Sequence, residues 1–129
     1  MKSLEDFLAL PDVDNITDEV FVSKRLGTFK VKAMTADEHS NYQKRARGKI
    51  KKDGVDFDNT KFNLLICAGQ IVEPDFNNAE LLKKTNCSTG ADLIKKKLLA
   101  GEIATLADKI CQISGFDSDL QEDIDEAKN

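Results

Sequence analysis

Two spacings of apolar residues divide this chain into different kinds of segment. Between Val20 and Ala33 the period is two: Val20 and Val22 fall on one side, with Phe21, Ser23 and Arg25 on the other. Phe29, Val31 and Ala33 then oppose Lys30 and Lys32. Gly27-Thr28 suits a tight turn between the two runs, so the pattern predicts an antiparallel hairpin of residues 20–25 and 29–33. A lone hairpin is marginal in water, and its apolar side requires helices against it.

The helices announce themselves by their caps. Ser3 with Asp6 opens a short helix carrying Leu4, Phe7, Leu8 and Leu10, which Pro11 ends. Thr35-Ala36-Asp37-Glu38 has the spacing of a capping box, and the helix it starts passes Tyr42 and Ala46 and stops near Gly48. Residues 49–58 read as a polar connection. Asp58 or Asn59 opens a helix whose face is Phe62, Leu65, Ile66, Gly69 and Val72, with Pro74 as its stop. Asn78 caps a short helix with Leu81 and Leu82, and Thr89 with Asp92 caps another with Leu93, Ile94, Leu98 and Leu99. After a bend at Gly101, Ile103, Leu106, Ala107, Ile110 and Ile113 share one face of a last helix, while Glu102, Asp108, Lys109 and Gln112 point elsewhere. Gly115 closes that helix and Phe116 packs back on its last turn. The expected fold is therefore α+β, a small antiparallel hairpin packed on a mainly helical body of four or more helices.

Composition adds the ends to this picture. The 129 residues fit one domain spanning the chain, and a domain of that length buries roughly two thirds of its unfolded surface. Residues 1–16 are acidic, and their short helix is stopped by Pro11, which predicts a loosely held lead segment. Beyond Gly115, Asp117, Asp119, Glu122, Asp123, Asp125 and Glu126 crowd around Leu120 and Ile124 as the only large apolar groups, so residues 117–129 are expected to form a mobile acidic tail. The net charge of −4 implies no whole-chain attraction to nucleic acid or anionic lipid. No stretch approaches a membrane span, and the start lacks the apolar core of a signal peptide, which predicts a protein of the cytoplasm.

Candidate chemistry removes more than it adds. Cys67, Cys87 and Cys111 are too widely spaced for a zinc knuckle or redox motif and read as reduced thiols. His39 is the single histidine, placed in the first turn of a polar helix, where a solvated side chain is expected. Gly48-Lys49 fails as a phosphate loop, because Gln43 occupies the place of its first glycine and Ile50 that of its serine or threonine. Asp56-Phe57-Asp58-Asn59-Thr60 starts like a calcium loop, but Lys61 replaces the turn glycine and Cys67 the bidentate glutamate. Lys44, Arg45, Arg47, Lys49, Lys51 and Lys52 could grip phosphates, yet the run contains no aromatic on which bases would stack, so a nucleic-acid module there is the weaker reading. Neither catalytic residues, a metal site nor a cofactor site is expected. The candidate functional residues are instead apolar anchors for a partner: Ile103, Leu106 and Ile110 on the last helix, and Leu120 and Ile124 in the tail.

The order of segments carries a resemblance. A capped helix running to Val72-Glu73-Pro74-Asp75, a short Leu-Leu helix, the Thr89-to-Asp92 start, Leu99-Ala100-Gly101-Glu102-Ile103 and Ile113-Ser114-Gly115-Phe116 together resemble the XkdN-like family of tail assembly chaperones encoded by phages and prophages. The resemblance extends from about Thr17 to Asn129. It implies a protein without enzymatic activity that coats the tape measure protein during tail morphogenesis, in the cytoplasm of the bacterial host. Another phage-derived structural tail component or small adaptor is the alternative.

Overall fold

A computed structural model of the chain describes residues 3–116, the side chains at 49–51 and 55 excepted. In chain order the elements are α1 (Leu4–Leu8), β1 (Thr17–Ser23), β2 (Gly27–Lys32), α2 (Ala36–Ala46), β3 (Arg47–Lys51), β4 (Gly54–Phe57), α3 (Asn59–Gln70), β5 (Ile71–Glu73), α4 (Ala79–Thr85), α5 (Gly90–Lys97) and α6 (Ala100–Ile113). The architecture is α+β. The acidic tail, with Leu120 and Ile124, lies outside the described residues.

Five of the six helices begin at the side-chain caps that local spacing predicts. The oxygens of Ser3, Thr35, Asp58, Asn78 and Thr89 each accept from the backbone N–H three residues on, at 3.0–3.2 Å. At Thr35 the box is complete, since Glu38 Oε1 accepts from the Thr35 N–H at 3.0 Å. The far end of α6 is a Schellman closure: Gly115 at φ +96° lets the Phe116 N–H reach the Cys111 carbonyl and its own N–H reach that of Gln112.

The sheet departs from the expected hairpin in three ways. The turn comes earlier, with Ser23 opposite Gly27, so Gly27 at φ +74° ends the turn and Thr28 already lies in β2. The helix α3 ends at Gln70, not at Pro74, and Ile71–Glu73 leaves it as β5, pairing antiparallel with β2. This makes β2 the central strand of the order β1-β2-β5. Residues expected as a polar connection form a second hairpin, β3 with β4, and Gly48 sits inside β3 where its Cα faces Asp56, with no role as a helix stop. The pleat itself follows the alternation: Val20, Phe29, Val31 and Ala33 are buried, while Phe21 points out at 63% exposure.

Among the described residues, helices cover one face of this sheet. The central helix α3 packs on α2, α5 and α6, and α6 in turn lies along β1 and β2. Ile66, Leu93, Ile94, Leu106, Ile110 and Val31 form the driest part of the core. Phe29 and Phe76 close one side of it with ring centroids 5.8 Å apart. Two polar residues share this interior. Gln70 is fully buried and satisfied, accepting from the Tyr42 hydroxyl at 2.6 Å and donating to the carbonyls of Ala33 at 3.0 Å and Lys32 at 3.3 Å. One amide thereby ties α2, α3 and the end of β2 together. Glu102 is the other, and it corrects the expectation that its side chain points away from the packed face.

Candidate partner-binding groove

The elbow between α5 and α6 shapes an open, mainly apolar surface on the helical side. Leu98 and Leu99 are both extended, so the bend is made there and Gly101 lies within the first turn of α6. Beside this elbow a groove of about 280 Å³ opens, lined by Thr60, Asn63 and Leu64 of α3, Lys95 and Leu98 of α5 and its cap, and Ala100, Ile103 and Ala104 of α6. Ala100 and Ala104 are one helical turn apart and keep the α6 wall low, while Ile103 stands half-buried between them. The Cys67 thiol donates to the Ile103 carbonyl at 3.6 Å from below, and burial pushes that thiol up to about 12.

The elbow itself is tied to the sheet side of the domain. Glu102 accepts from the Leu99 N–H at 2.7 Å, from the Ser23 hydroxyl at 2.6 Å and from the Arg25 guanidinium, with which it forms a short ion pair. Arg25 also donates to the Lys97 carbonyl at 3.0 Å, so a single guanidinium bridges the end of α5 and the start of α6. The Arg25 hydrogen bond, then those from Ser23 and the Leu99 amide, hold the Glu102 carboxyl down to about 2. A charge this well paired at a helix start ties the elbow between α5 and α6 to the end of β1.

Of the five expected anchor residues, the three that are described do not fall on one surface. Ile103 lines the groove, whereas Leu106 and Ile110 are fully buried against α3 and the sheet, and Leu120 and Ile124 lie outside the described residues. Spacing missed Leu64, which is out of phase with the buried face of α3 for the reason that makes it available, and it missed the Ala100/Ala104 notch. The only signal for the notch was two small residues four apart beside an isoleucine.

The remaining chemistry-bearing residues are committed to packing. His39 is not a solvated side chain: its ring lies 4.8 Å from that of Phe116 and 5.8 Å from that of Phe62, in an aromatic cluster that Phe57 extends. A second cleft of about 340 Å³ runs beside Tyr42, Arg45, Gly69 and Asn77, but the Tyr42 hydroxyl is spent on Gln70 and the Asn77 amide donates to the Ala68 carbonyl at 2.7 Å. Among the described residues no group of histidine, cysteine and carboxylate side chains could hold a metal ion, the three cysteines are free, and no helix is long and apolar enough to cross a membrane.

A small α+β domain of three sheet strands, a side hairpin and a helical layer is also the fold of a solved relative. The crystal structure of the protein YqbN superposes with a TM-score of 0.69 at 26% identity, covering 91% of this chain and 99% of that one. YqbN of Bacillus subtilis (strain 168) and the phage-like element PBSX protein XkdN of the same organism are each 26% identical over 110 residues, 84% of this chain and 71% and 72% of theirs. The model of the phage XkdN-like tail assembly chaperone protein family matches residues 4–128, and the chain belongs to that family.

Proposed function

We propose that this protein is a tail assembly chaperone that binds the tape measure protein, without catalysing a reaction, and keeps it soluble in the bacterial cytoplasm until the tail tube forms around it. The observation that carries this reading is the open apolar groove between α3, α5 and α6, beside the elbow that the Arg25–Glu102 latch ties down, on a domain of this family. A tape measure chain is long and helix-rich, and before assembly its apolar stripes expose surface prone to aggregation. A groove floored by Leu64, Leu98 and Ile103 accepts anchors at helical spacing from such a stripe. Leu106 and Ile110 support the Ile103 wall from behind, and the acidic tail with Leu120 and Ile124 adds charge that keeps neighbouring complexes apart.

Co-expression with the cognate tape measure protein tests this. The parent chain should move the tape measure protein into the soluble fraction, and Ala104→Glu, a charge placed at an exposed position on the groove wall, should reduce that effect without unfolding the chaperone. A tape measure protein equally insoluble with and without the parent chain would refute the reading and favour a structural tail component or adaptor.

A further inference from the structure

More than half of the large apolar side chains that the described residues expose lie in one short stretch. Leu4, Phe7, Leu8, Leu10, Val13 and Ile16 are 46–72% exposed, and α1 contains no buried residue. Leu4, Phe7 and Leu8 stand three and four residues apart, so a single turn of helix presents them together, with Glu5 and Asp6 on the other side. The segment carries Glu5, Asp6, Asp12 and Asp14 and no cation between Ser3 and Ile16. An apolar turn of this kind is stable only when something covers it.

We infer that α1 of one copy of this chain docks in the α3/α5/α6 groove of another copy. The groove has the complementary character: an apolar floor of Leu64, Leu98 and Ile103, and a basic rim in Lys95, with the exposed Lys61 next to Thr60. Its 280 Å³ takes one or two large side chains, the size of a Phe7–Leu8 pair. In its own chain the segment leaves the body at Ile16, whose carbonyl accepts from the Ala33 N–H at 2.8 Å next to the C-terminal end of α6, where Met34 bonds to Ser114. The groove opens at the opposite end of α6, about 17 Å of helix away, on the side facing α3 instead of the sheet. The contact joins two different surfaces, so it is head-to-tail: each copy that offers α1 still has an empty groove, and each copy that offers a groove still has a free α1.

The purified 129-residue chain tests this without any other protein, so its failure is separate from failure of the tape measure reading. Sedimentation equilibrium should show a weight-average mass rising above the monomer's 14.3 kDa between about 10 μM and 1 mM, the range in which a contact of a few side chains dissociates. Phe7→Glu, which spoils α1 and leaves the groove intact, should be monomeric across that range. So should Ala104→Glu, which spoils the groove and leaves α1 intact. Mixed in equal amounts, the two variants should form a 1:1 complex and stop there, because one good α1 meets one good groove. A parent chain that stays monomeric, variants that still self-associate, or a mixture that remains monomeric would each overturn the inference, the first including the case in which α1 folds into its own groove.

Discussion

Gly69→Ala tests the polar tie inside the core. A methyl group on Gly69 would stand 1.8 Å from the Tyr42 hydroxyl and 2.7 Å from its ring carbon, so Tyr42 must move. Tyr42 is 8% exposed and cannot swing into solvent, which makes the change an overpacking event of about 1–3 kcal/mol. Displacing the hydroxyl also removes the 2.6 Å hydrogen bond to Gln70 Oε1, and a buried acceptor left alone costs roughly 1–3 kcal/mol. Alanine returns up to about 1 kcal/mol of helix propensity. The net loss is about 1–6 kcal/mol, which for a chain of this size lowers the melting temperature by about 4–24 °C. Thermal unfolding followed by circular dichroism measures it. The second variant sharpens the test: Tyr42→Phe should cost less in the Gly69→Ala background than in the parent, since the hydroxyl has already lost its partner, with a coupling of about 1 kcal/mol or more. A melting temperature within 2 °C of the parent, or strictly additive costs, would refute the close approach of α2 and α3 and the role of Gln70.

Three further outcomes follow from the same structure. Glu102 has a carboxyl held at about 2 against an ordinary 4.5, so its contribution is present above the ordinary value and is lost as pH falls from there towards 2; Glu102→Gln should flatten this acid limb in a pH series of melting temperatures, and an unchanged limb would show that the latch does not titrate. Cys67, fully buried with its thiol pushed up to about 12, should resist iodoacetamide at neutral pH until the chain unfolds, while the half-buried Cys87 and Cys111 are modified first; early labelling of Cys67 by mass spectrometry would contradict its place under Ile103. Ile110→Asp should lower stability by about 3 kcal/mol or more because it buries an unpaired charge, whereas deletion of residues 117–129 should leave the melting temperature unchanged and weaken solubilisation of the tape measure protein; the reverse pattern would put the functional surface on the α6 face and the stability in the tail.

What could be read from the chain was chemistry that acts over three or four residues. The caps at Ser3, Thr35, Asp58, Asn78 and Thr89 are satisfied within their own turns, so spacing alone located them. The glycine closure after α6 is local in the same sense. Long-range partnerships were not legible. Val72 continues the helical spacing of α3, and only pairing of Ile71–Glu73 with β2, some forty residues earlier, makes those residues a strand. Glu102 reads as a surface charge until Arg25, 77 positions away, comes to meet it. The 49–58 segment offers few apolar residues from which to read an alternation, and its hairpin was missed for that reason. Of the groove, spacing points to Ile103 as an anchor and places Leu98 on the apolar face of α5. Thr60, Asn63, Leu64, Lys95, Ala100 and Ala104 do not fit the core pattern, and such residues are identified as a surface only when three helices are seen to converge.

The central claim, that the α3/α5/α6 groove receives an apolar helical segment of the tape measure protein, is tested most directly by titrating the isotope-labelled chain with such a segment and following backbone amide shifts. The account predicts changes concentrated at Asn63, Leu64, Lys95, Ala100, Ile103 and Ala104, and loss of those changes in Ala104→Glu. Shifts centred on the open face of the sheet at Glu19, Phe21 and Lys30, or none at saturating segment, would contradict it.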